Sequence, residues 1–129
     1  NSIELDLVEA PDIAQTIVVS CFGLGIGCDL LGLHTLKIKE TDRLVALEQE
    51  LTKLGAQIRI TNNSLHLTAS KGFKPNQTVA TYSDHRMAMA FAPLALKISL
   101  KIAESNVVTK SYPSFWSDMQ SLGFEVIKK

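Results

Sequence analysis

The chain has 129 residues, of which 46 % are apolar and 20 % charged, and this is the composition of one folded domain rather than of a disordered segment. Its 13 basic and 13 acidic side chains give no net charge, which excludes a molecule-wide field that attracts nucleic acid or an anionic membrane. Any site for an anion must therefore be built locally.

The first half of the chain is predicted to alternate strands and helices. Apolar and polar residues alternate from Ser2 to Val8, which indicates a strand with Ile3, Leu5 and Leu7 on one face. Pro11 favours the first turn of a helix. A later helix presents one apolar stripe, made of Leu44, Leu47, Leu51 and Leu54. The predicted order is a strand over 2–8, a helix over 11–22, an extended segment over 29–38, a helix ending at 54, and strands over 56–61 and 64–68 joined at 62–63.

The second half is predicted to repeat this order in a shorter form. Pro93 is expected to stop or kink a helix, and Gly123 suits a helix C-terminus. The predicted order is a loop over 71–77, a strand over 78–82, a helix over 84–91, a strand over 100–104, a helix over 111–122 and a last strand over 124–127.

The two halves resemble each other, which indicates an internal repeat of roughly seventy residues. Residues 54–58 (LGAQI) correspond to residues 122–126 (LGFEV), and Asp12 and Asp84 each open the first helix of their half. We therefore predict an α/β fold (α+β by some schemes) in a single domain, 1–129, with β-α-β-α-β-β units over about 1–70 and 78–129. Because the chain begins with Asn1, we expect a piece of a longer protein.

Basic residues stand where helices are predicted to begin. A helix N-terminus carries partial positive charge, so a cation there needs solvent or an anion. In α/β proteins the helix N-termini and the carboxyl ends of the strands meet at one edge of the sheet, where ligands bind. We expect one anion-binding centre at this edge, formed by Asp12, Lys39, Glu40, Arg43, Asp84, His85, Arg86 and Lys110.

Each of these residues also has an ordinary structural explanation. Arg43 could form a simple ion pair with Glu40, three residues earlier on the same helix. Asp12 and Asp84 could be helix caps, His85 a polar residue at a helix end, and Lys110 a surface lysine. The recurrence of the pattern at successive helices favours a site over these separate explanations.

The two cysteines are expected to be structural. Neither Cys21 nor Cys28 has neighbours with zinc-ligand spacing, and both lie in apolar sequence. Two free cysteines and the lack of a signal-like start suit a reducing cytoplasm. The longest apolar stretch, 13–33, contains polar residues, glycines and Asp29, so no membrane span is predicted.

Four motifs of the chain, in order and spacing, resemble those of 3-phosphoshikimate 1-carboxyvinyltransferases, the EPSP synthase family. Together they reach from Pro11 to Pro113, nearly the whole chain. They are residues 11–16 (PDIAQT), 39–43 (KETDR), 84–90 (DHRMAMA) and 110–113 (KSYP).

The resemblance implies the later part of that enzyme's C-terminal domain. It implies the inside-out barrel of the enolpyruvyl transferases, built from β-α-β-α-β-β units, of which about two would be present here. The family transfers the enolpyruvyl group of phosphoenolpyruvate to the 5-hydroxyl of shikimate 3-phosphate and releases phosphate, a step of the shikimate pathway to chorismate and the aromatic amino acids. It implies no metal and no organic cofactor, and it implies that the missing N-terminal domain is a partner without which the chain is inactive.

The resemblance also implies roles for individual residues. Asp12 would be the base at the 5-hydroxyl and would bind shikimate 3-phosphate together with Lys39, and Glu40 would help to protonate the methylene carbon of phosphoenolpyruvate. The residues implied to bind phosphoenolpyruvate are Arg43, Arg86 and Lys110, with His85 close by.

One position departs from the family pattern. Members commonly carry Asn and then Arg, two residues apart, just before the KETDR motif, where this chain has Thr35 and Lys37. Thr35 could still offer a hydroxyl group to the substrate. Two alternatives stay open, namely the related transferase that acts on UDP-N-acetylglucosamine, which depends on a loop cysteine, and a noncatalytic α/β module that binds an anion or a partner protein.

Overall fold

The structure, a computed structural model, describes residues 2–127 and contains six short strands and four α-helices within them. The strands are β1 Ser2–Asp6, β2 Gly27–Leu31, β3 Ile58–Ile60, β4 Leu65–Leu67, β5 Gln77–Val79 and β6 Leu100–Ile102. The helices are α1 Ala14–Leu24, α2 Arg43–Lys53, α3 His85–Phe91 and α4 Phe115–Ser121. Short 3₁₀ segments lie at Pro11–Ile13, His34–Ile38, Ala92–Leu96 and Ser105–Val108.

The strands form two sheets, each of which contains one parallel pair of strands. The first has the order β1-β2-β4-β3, in which β1 and β2 are parallel and the β3–β4 hairpin is antiparallel. The second is the parallel pair β5-β6. In each sheet a helix connects the two parallel strands, α1 in the first and α3 in the second, as parallel pairing requires. The α/β fold class is confirmed, whereas the bounds of the two units stay a prediction, and their outer ends at 1 and 128–129 lie outside the described residues.

Helix α2 forms because its sequence supplies both a cap and an apolar face. Asp42 is its N-cap, and the side chain accepts a hydrogen bond from the backbone N–H of Val45 at 3.2 Å. The predicted apolar stripe is confirmed, since all four leucines are fully buried: Leu44, Leu47, Leu51 and Leu54.

Helices α1 and α3 pack against each other and join the two halves around one core. Phe22 of α1 and Phe91 of α3 are both fully buried in it. Three of the four sequence motifs lie at the N-terminal ends of α1, α2 and α3, and ion pairs among Asp12, Arg43 and Asp84 join these ends.

The sequence predicted one extended segment over residues 29–38, and this prediction was wrong. Strand β2 ends at Leu31, and residues 34–38 form a 3₁₀ turn. Between them Gly32 adopts a φ of +75°, and a Cβ at this position would lie 2.5 Å from Oδ1 of Asp6. The left-handed backbone and the close approach, which only glycine permits, end the strand.

Two further predictions were wrong in detail. Residues 124–127 form no strand, because the N–H of Phe124 bonds back to the carbonyl of Met119 and closes the end of α4. Helix α4 also begins at Phe115, later than predicted.

No helix within residues 2–127 combines the length and the apolar character that crossing a membrane requires.

Candidate active site

Arg43 is the centre of the candidate site. It is the first residue of α2, and it is 1 % exposed although its guanidinium is charged. Nε donates to Oδ2 of Asp84 at 2.7 Å, Nη1 to Oδ1 of Asp12 at 3.2 Å, and Nη2 to Oε2 of Glu40 at 2.9 Å. Three carboxylates from three separate chain segments therefore meet at one buried cation.

Asp84 orients Arg43 from the inside of the protein. Its carboxylate is fully buried and grips the guanidinium with both oxygens, since Oδ1 also accepts from Nη2 at 3.2 Å. The same Oδ1 accepts from the backbone N–H of Arg86 at 3.0 Å, which makes Asp84 the N-cap of α3. A buried charge is tolerated only when it is paired and hydrogen-bonded, and Asp84 meets both conditions.

Asp12 and Glu40 hold Arg43 from the solvent side. Their side chains are 41 % and 43 % exposed, in contrast to Asp84. Nζ of Lys39 lies 3.4 Å from Oδ1 of Asp12, and Nδ1 of His85 lies 3.5 Å from Oε2 of Glu40. These two carboxylates can therefore exchange their partners for a ligand without exposing a buried charge.

Six of the eight predicted residues are thus in one network, which we call the Arg43 cluster: Asp12, Lys39, Glu40, Arg43, Asp84 and His85. Arg86 is half-buried in the first turn of α3, and Lys110 is exposed in the turn that precedes α4. Within residues 2–127 neither of these two side chains forms an ion pair.

The two positions that depart from the family pattern have different surroundings. Lys37 pairs with Asp42 at 2.8 Å and so supports the cap of α2. Oγ1 of Thr35 is buried and has no hydrogen-bond partner within residues 2–127. Such an unpaired polar atom is unusual in a folded protein.

The ordinary explanations hold only in part. Arg43 does pair with Glu40 and Asp84 does cap a helix, as predicted, but both also belong to the larger network. Asp12 as a helix cap is wrong: it lies in a 3₁₀ turn, α1 begins two residues later, and no side chain caps either element. Its carboxylate is drawn instead to Lys39 and Arg43.

The cluster also brings together atoms that a metal ion could use. One ligand atom each of Glu40, Asp84 and His85 lie within 4.8 Å of one another. Both oxygens of Asp84 already bind Arg43, however, and a cation at this point would face the guanidinium directly. The donor set therefore favours the guanidinium over a metal ion.

Known proteins resemble this chain in sequence and in fold. The family model of EPSP synthase (3-phosphoshikimate 1-carboxyvinyltransferase) matches residues 1–119. The chain belongs to the EPSP synthase family. Among curated relatives, 3-phosphoshikimate 1-carboxyvinyltransferase of Bacteroides fragilis strain YCH46 is 43 % identical over an alignment that covers 96 % of this chain and 31 % of the relative. That of Neisseria meningitidis strain FAM18 is 34 % identical over 95 % of this chain and 28 % of the relative.

A solved structure shows the same fold. EPSP synthase from Acinetobacter baumannii superimposes with a TM-score of 0.77 at 21 % identity and covers 87 % of this chain and 27 % of that one. The chain therefore spans about a third of the length of the EPSP synthases that it matches.

The cysteines do not resemble those of a transferase that depends on a loop cysteine. Cys21 lies in α1 and Cys28 in β2, and both are buried. Burial, with a smaller contribution from Cys21 beside it, raises the pKa of Cys28 to about 12. A buried thiol that stays protonated is a poor nucleophile, so the structure favours the predicted structural role.

Sequence reasoning missed Glu50 and Tyr82. Glu50 is 1 % exposed, and Tyr82 OH donates to its Oε2 at 2.6 Å. A signal for Glu50 was present, since it lies three residues after Leu47 and four before Leu54 and therefore on the buried face of α2. For Tyr82 the sequence carries no comparable signal, because its partner is 32 residues away.

We expect Asp84→Asn to lower the free energy of unfolding by about 3 kcal/mol, because it leaves the buried guanidinium of Arg43 without its innermost countercharge. Urea unfolding followed by circular dichroism measures this. Asp42→Asn is the matched control, since it makes the same change at another helix cap whose ion pair is one-third exposed. Asparagine caps as well as aspartate, so a loss below about 1 kcal/mol is expected there. Equal losses in the two variants would contradict the special role of Asp84.

Because the pKa of Cys28 is raised, we expect the free energy of unfolding to decrease as the pH rises in the alkaline range. The pKa of Cys28 is raised in the folded chain, so the unfolded chain loses its thiol proton first as the pH rises above 9. The stabilisation is complete at pH 8 and is lost towards pH 12, with a slope of at most about 1.4 kcal/mol per pH unit. Unfolding titrations between pH 8 and 10.5 should show a shallower decline for Cys28→Ala than for the unchanged chain. Parallel declines would show that this thiol does not ionise on unfolding.

Proposed function

We propose that the chain forms one wall of the active site of a 3-phosphoshikimate 1-carboxyvinyltransferase. The enzyme transfers the enolpyruvyl group of phosphoenolpyruvate to the 5-hydroxyl of shikimate 3-phosphate and releases phosphate. The observation that carries this proposal is the Arg43 cluster, in which three of the four segments that resemble family motifs supply cations and carboxylates at one place. Membership of the EPSP synthase family supports the reaction.

Anion binding is assigned to Arg43, Arg86 and Lys110. Phosphoenolpyruvate carries a carboxylate and a phosphate, and a guanidinium binds either with two hydrogen bonds. Arg43 is oriented from behind by Asp84, so its outer N–H groups can pass from Glu40 to a substrate oxygen. Arg86 and Lys110, which form no ion pair within residues 2–127, supply the remaining positive charge.

Proton transfer is assigned to Asp12 and Glu40. Asp12 accepts the proton of the 5-hydroxyl as the substrate oxygen bonds to the central carbon of phosphoenolpyruvate. Glu40 gives a proton to the methylene carbon, which becomes a methyl group. Because the transferred group must keep its methylene, that carbon loses a proton again as the bond to phosphate breaks. An anion on Arg43 replaces Glu40 and leaves its carboxyl group free to carry this proton.

Lys39, Thr35 and His85 complete the proposed site. Lys39 lies beside Asp12 and binds the phosphate or hydroxyl groups of shikimate 3-phosphate. Thr35 offers its unpaired hydroxyl to the same substrate. His85 supports Glu40 through Nδ1. The proposal includes no metal ion and no organic cofactor, and it places the enzyme in the cytoplasm.

The proposal also assigns part of the active site to a region of the enzyme outside this chain. It spans 31 % of the length of the Bacteroides fragilis relative, so further contacts to shikimate 3-phosphate are assigned to an N-terminal domain of the same enzyme. We expect the isolated chain to release no phosphate from phosphoenolpyruvate in the presence of shikimate 3-phosphate. A colorimetric phosphate assay tests this, with the intact Bacteroides fragilis relative as the positive control. Turnover by the isolated chain would contradict the proposed division of the site.

Replacing Arg86 by Ala in the full-length protein that carries this chain should lower kcat/KM by about 100-fold or more, because a preorganised cation is lost at the developing charge. Steady-state phosphate release measures the effect, and circular dichroism checks the fold. The control is Arg59→Ala, which removes an exposed guanidinium from β3. Unchanged activity of the Arg86 variant would remove this residue from the site. An intact full-length protein without any turnover would favour a noncatalytic anion-binding module instead.

A further inference from the structure

The connection from β5 to α3 has an unfavourable backbone. Tyr82 and Ser83 adopt φ angles of 57° and 55°, in the left-handed region that residues other than glycine rarely enter. Such conformations persist only where the surrounding structure enforces them, and they cluster at functional sites. Here they directly precede Asp84, His85 and Arg86. The chain therefore maintains strain at the segment that supplies two of the six residues of the Arg43 cluster, Asp84 and His85.

Glu50 is the group that enforces this backbone. Its buried carboxylate accepts from the backbone N–H of Ala80 at 2.9 Å through Oε1, and from the Tyr82 hydroxyl at 2.6 Å through Oε2. Nζ of Lys53 lies 2.7 Å from Oε1 and balances the charge. Burial and the hydrogen bond to Glu50 raise the pKa of Tyr82, so its phenol remains a donor at any physiological pH.

Arg43 and Glu50 fix the two ends of this connection to the same side of α2. They are seven residues apart, which corresponds to nearly two full turns and a rise of about 10 Å. Arg43 binds Asp84 at one end of the connection, and Glu50 binds Ala80 and Tyr82 at the other. Thr81 adds a bond from its Oγ1 to the carbonyl of Ala103 beside β6. The three residues between Ala80 and Asp84 therefore have little conformational freedom.

We propose that Glu50 and Tyr82 are positioning residues, which set the placement of Arg86 and His85 by holding the β5–α3 connection against α2. This inference rests on the proposed function. Neither residue belongs to the Arg43 cluster, and no family motif quoted above contains either of them. The two act through Asp84, whose Oδ1 holds the first turn of α3 while both its oxygens hold Arg43.

Tyr82→Phe in the full-length protein tests this, because it removes one hydroxyl and keeps the ring. We expect KM for phosphoenolpyruvate to rise about 10-fold, since Arg86 is displaced, whereas KM for shikimate 3-phosphate changes less than 2-fold, since Asp12 and Lys39 lie on other segments. The matched control is Tyr112→Phe, which removes a phenol that bonds to Asp118 near α4. Equal changes in both KM values, or none in either, would overturn the proposal.

Glu50→Gln keeps the shape of the side chain and gives a second test, with Glu48→Gln on the same helix as its control. The same selective rise in KM for phosphoenolpyruvate is expected for Glu50→Gln alone. A variant that fails to fold is recognised by circular dichroism, and the tyrosine variant then decides.

A measurement without activity separates this inference from the proposed function. In ¹⁵N NMR of the chain, the Arg43 Nε–H should give a resolved signal, because it is buried and bonded to Asp84. Tyr82→Phe should shift or broaden that signal, whereas Tyr112→Phe should not. If the signal responds but the full-length protein has no turnover, positioning stands and the proposed function falls. If turnover is normal and neither the signal nor KM responds, positioning falls and the function stands.

Discussion

The buried ion pair between Arg43 and Asp84 is the interaction on which the rest of the structure depends. A guanidinium that is 1 % exposed must have its charge and its N–H groups satisfied inside the protein, because the cost of burying an unpaired charge exceeds what one domain can tolerate. Arg43 begins the second helix of the first half, and Asp84 begins the first helix of the second half. The pair therefore joins two chain segments 41 residues apart and sets how the helix ends meet.

The surroundings of Arg43 divide into a fixed side and an exchangeable side. Asp84 is fully buried and bidentate, so it cannot leave without exposing two charges to an apolar interior. Asp12 and Glu40 are more than 40 % exposed, and water can replace Arg43 as their partner at little cost. In the proposed function this asymmetry lets one arginine serve both as a structural link and as a binding group, because the two tasks use different N–H groups.

The elements of the fold could largely be predicted from the sequence, whereas the partners of the site residues could not. The spacing of its leucines identified α2. The motifs identified eight candidate residues, six of which the structure joins in one network. The electrostatic argument for Arg43 expected an external anion, but the structure supplies Asp84, whose proximity depends on how α1 packs on α3. Gly32 ended β2 through a close contact with Asp6, which no local pattern reveals. Glu50 was passed over although it lies on the buried face of α2, because its partners Ala80 and Tyr82 belong to another segment.

The two corresponding aspartates show how similar positions acquire different chemistry. Asp12 and Asp84 each lie between the first strand of a parallel pair and the helix that follows it. In the second half the helix begins directly after Asp84, so its carboxylate caps α3 and stays buried. In the first half Asp12 lies inside the Pro11–Ile13 turn and α1 begins only at Ala14, so the carboxylate accepts no hydrogen bond from an N–H group of the helix. That turn leaves Asp12 half-exposed between Lys39 and Arg43. The 3₁₀ turn at Pro11–Ile13 is thus the local difference between Asp84, which is buried and caps a helix, and Asp12, which does neither.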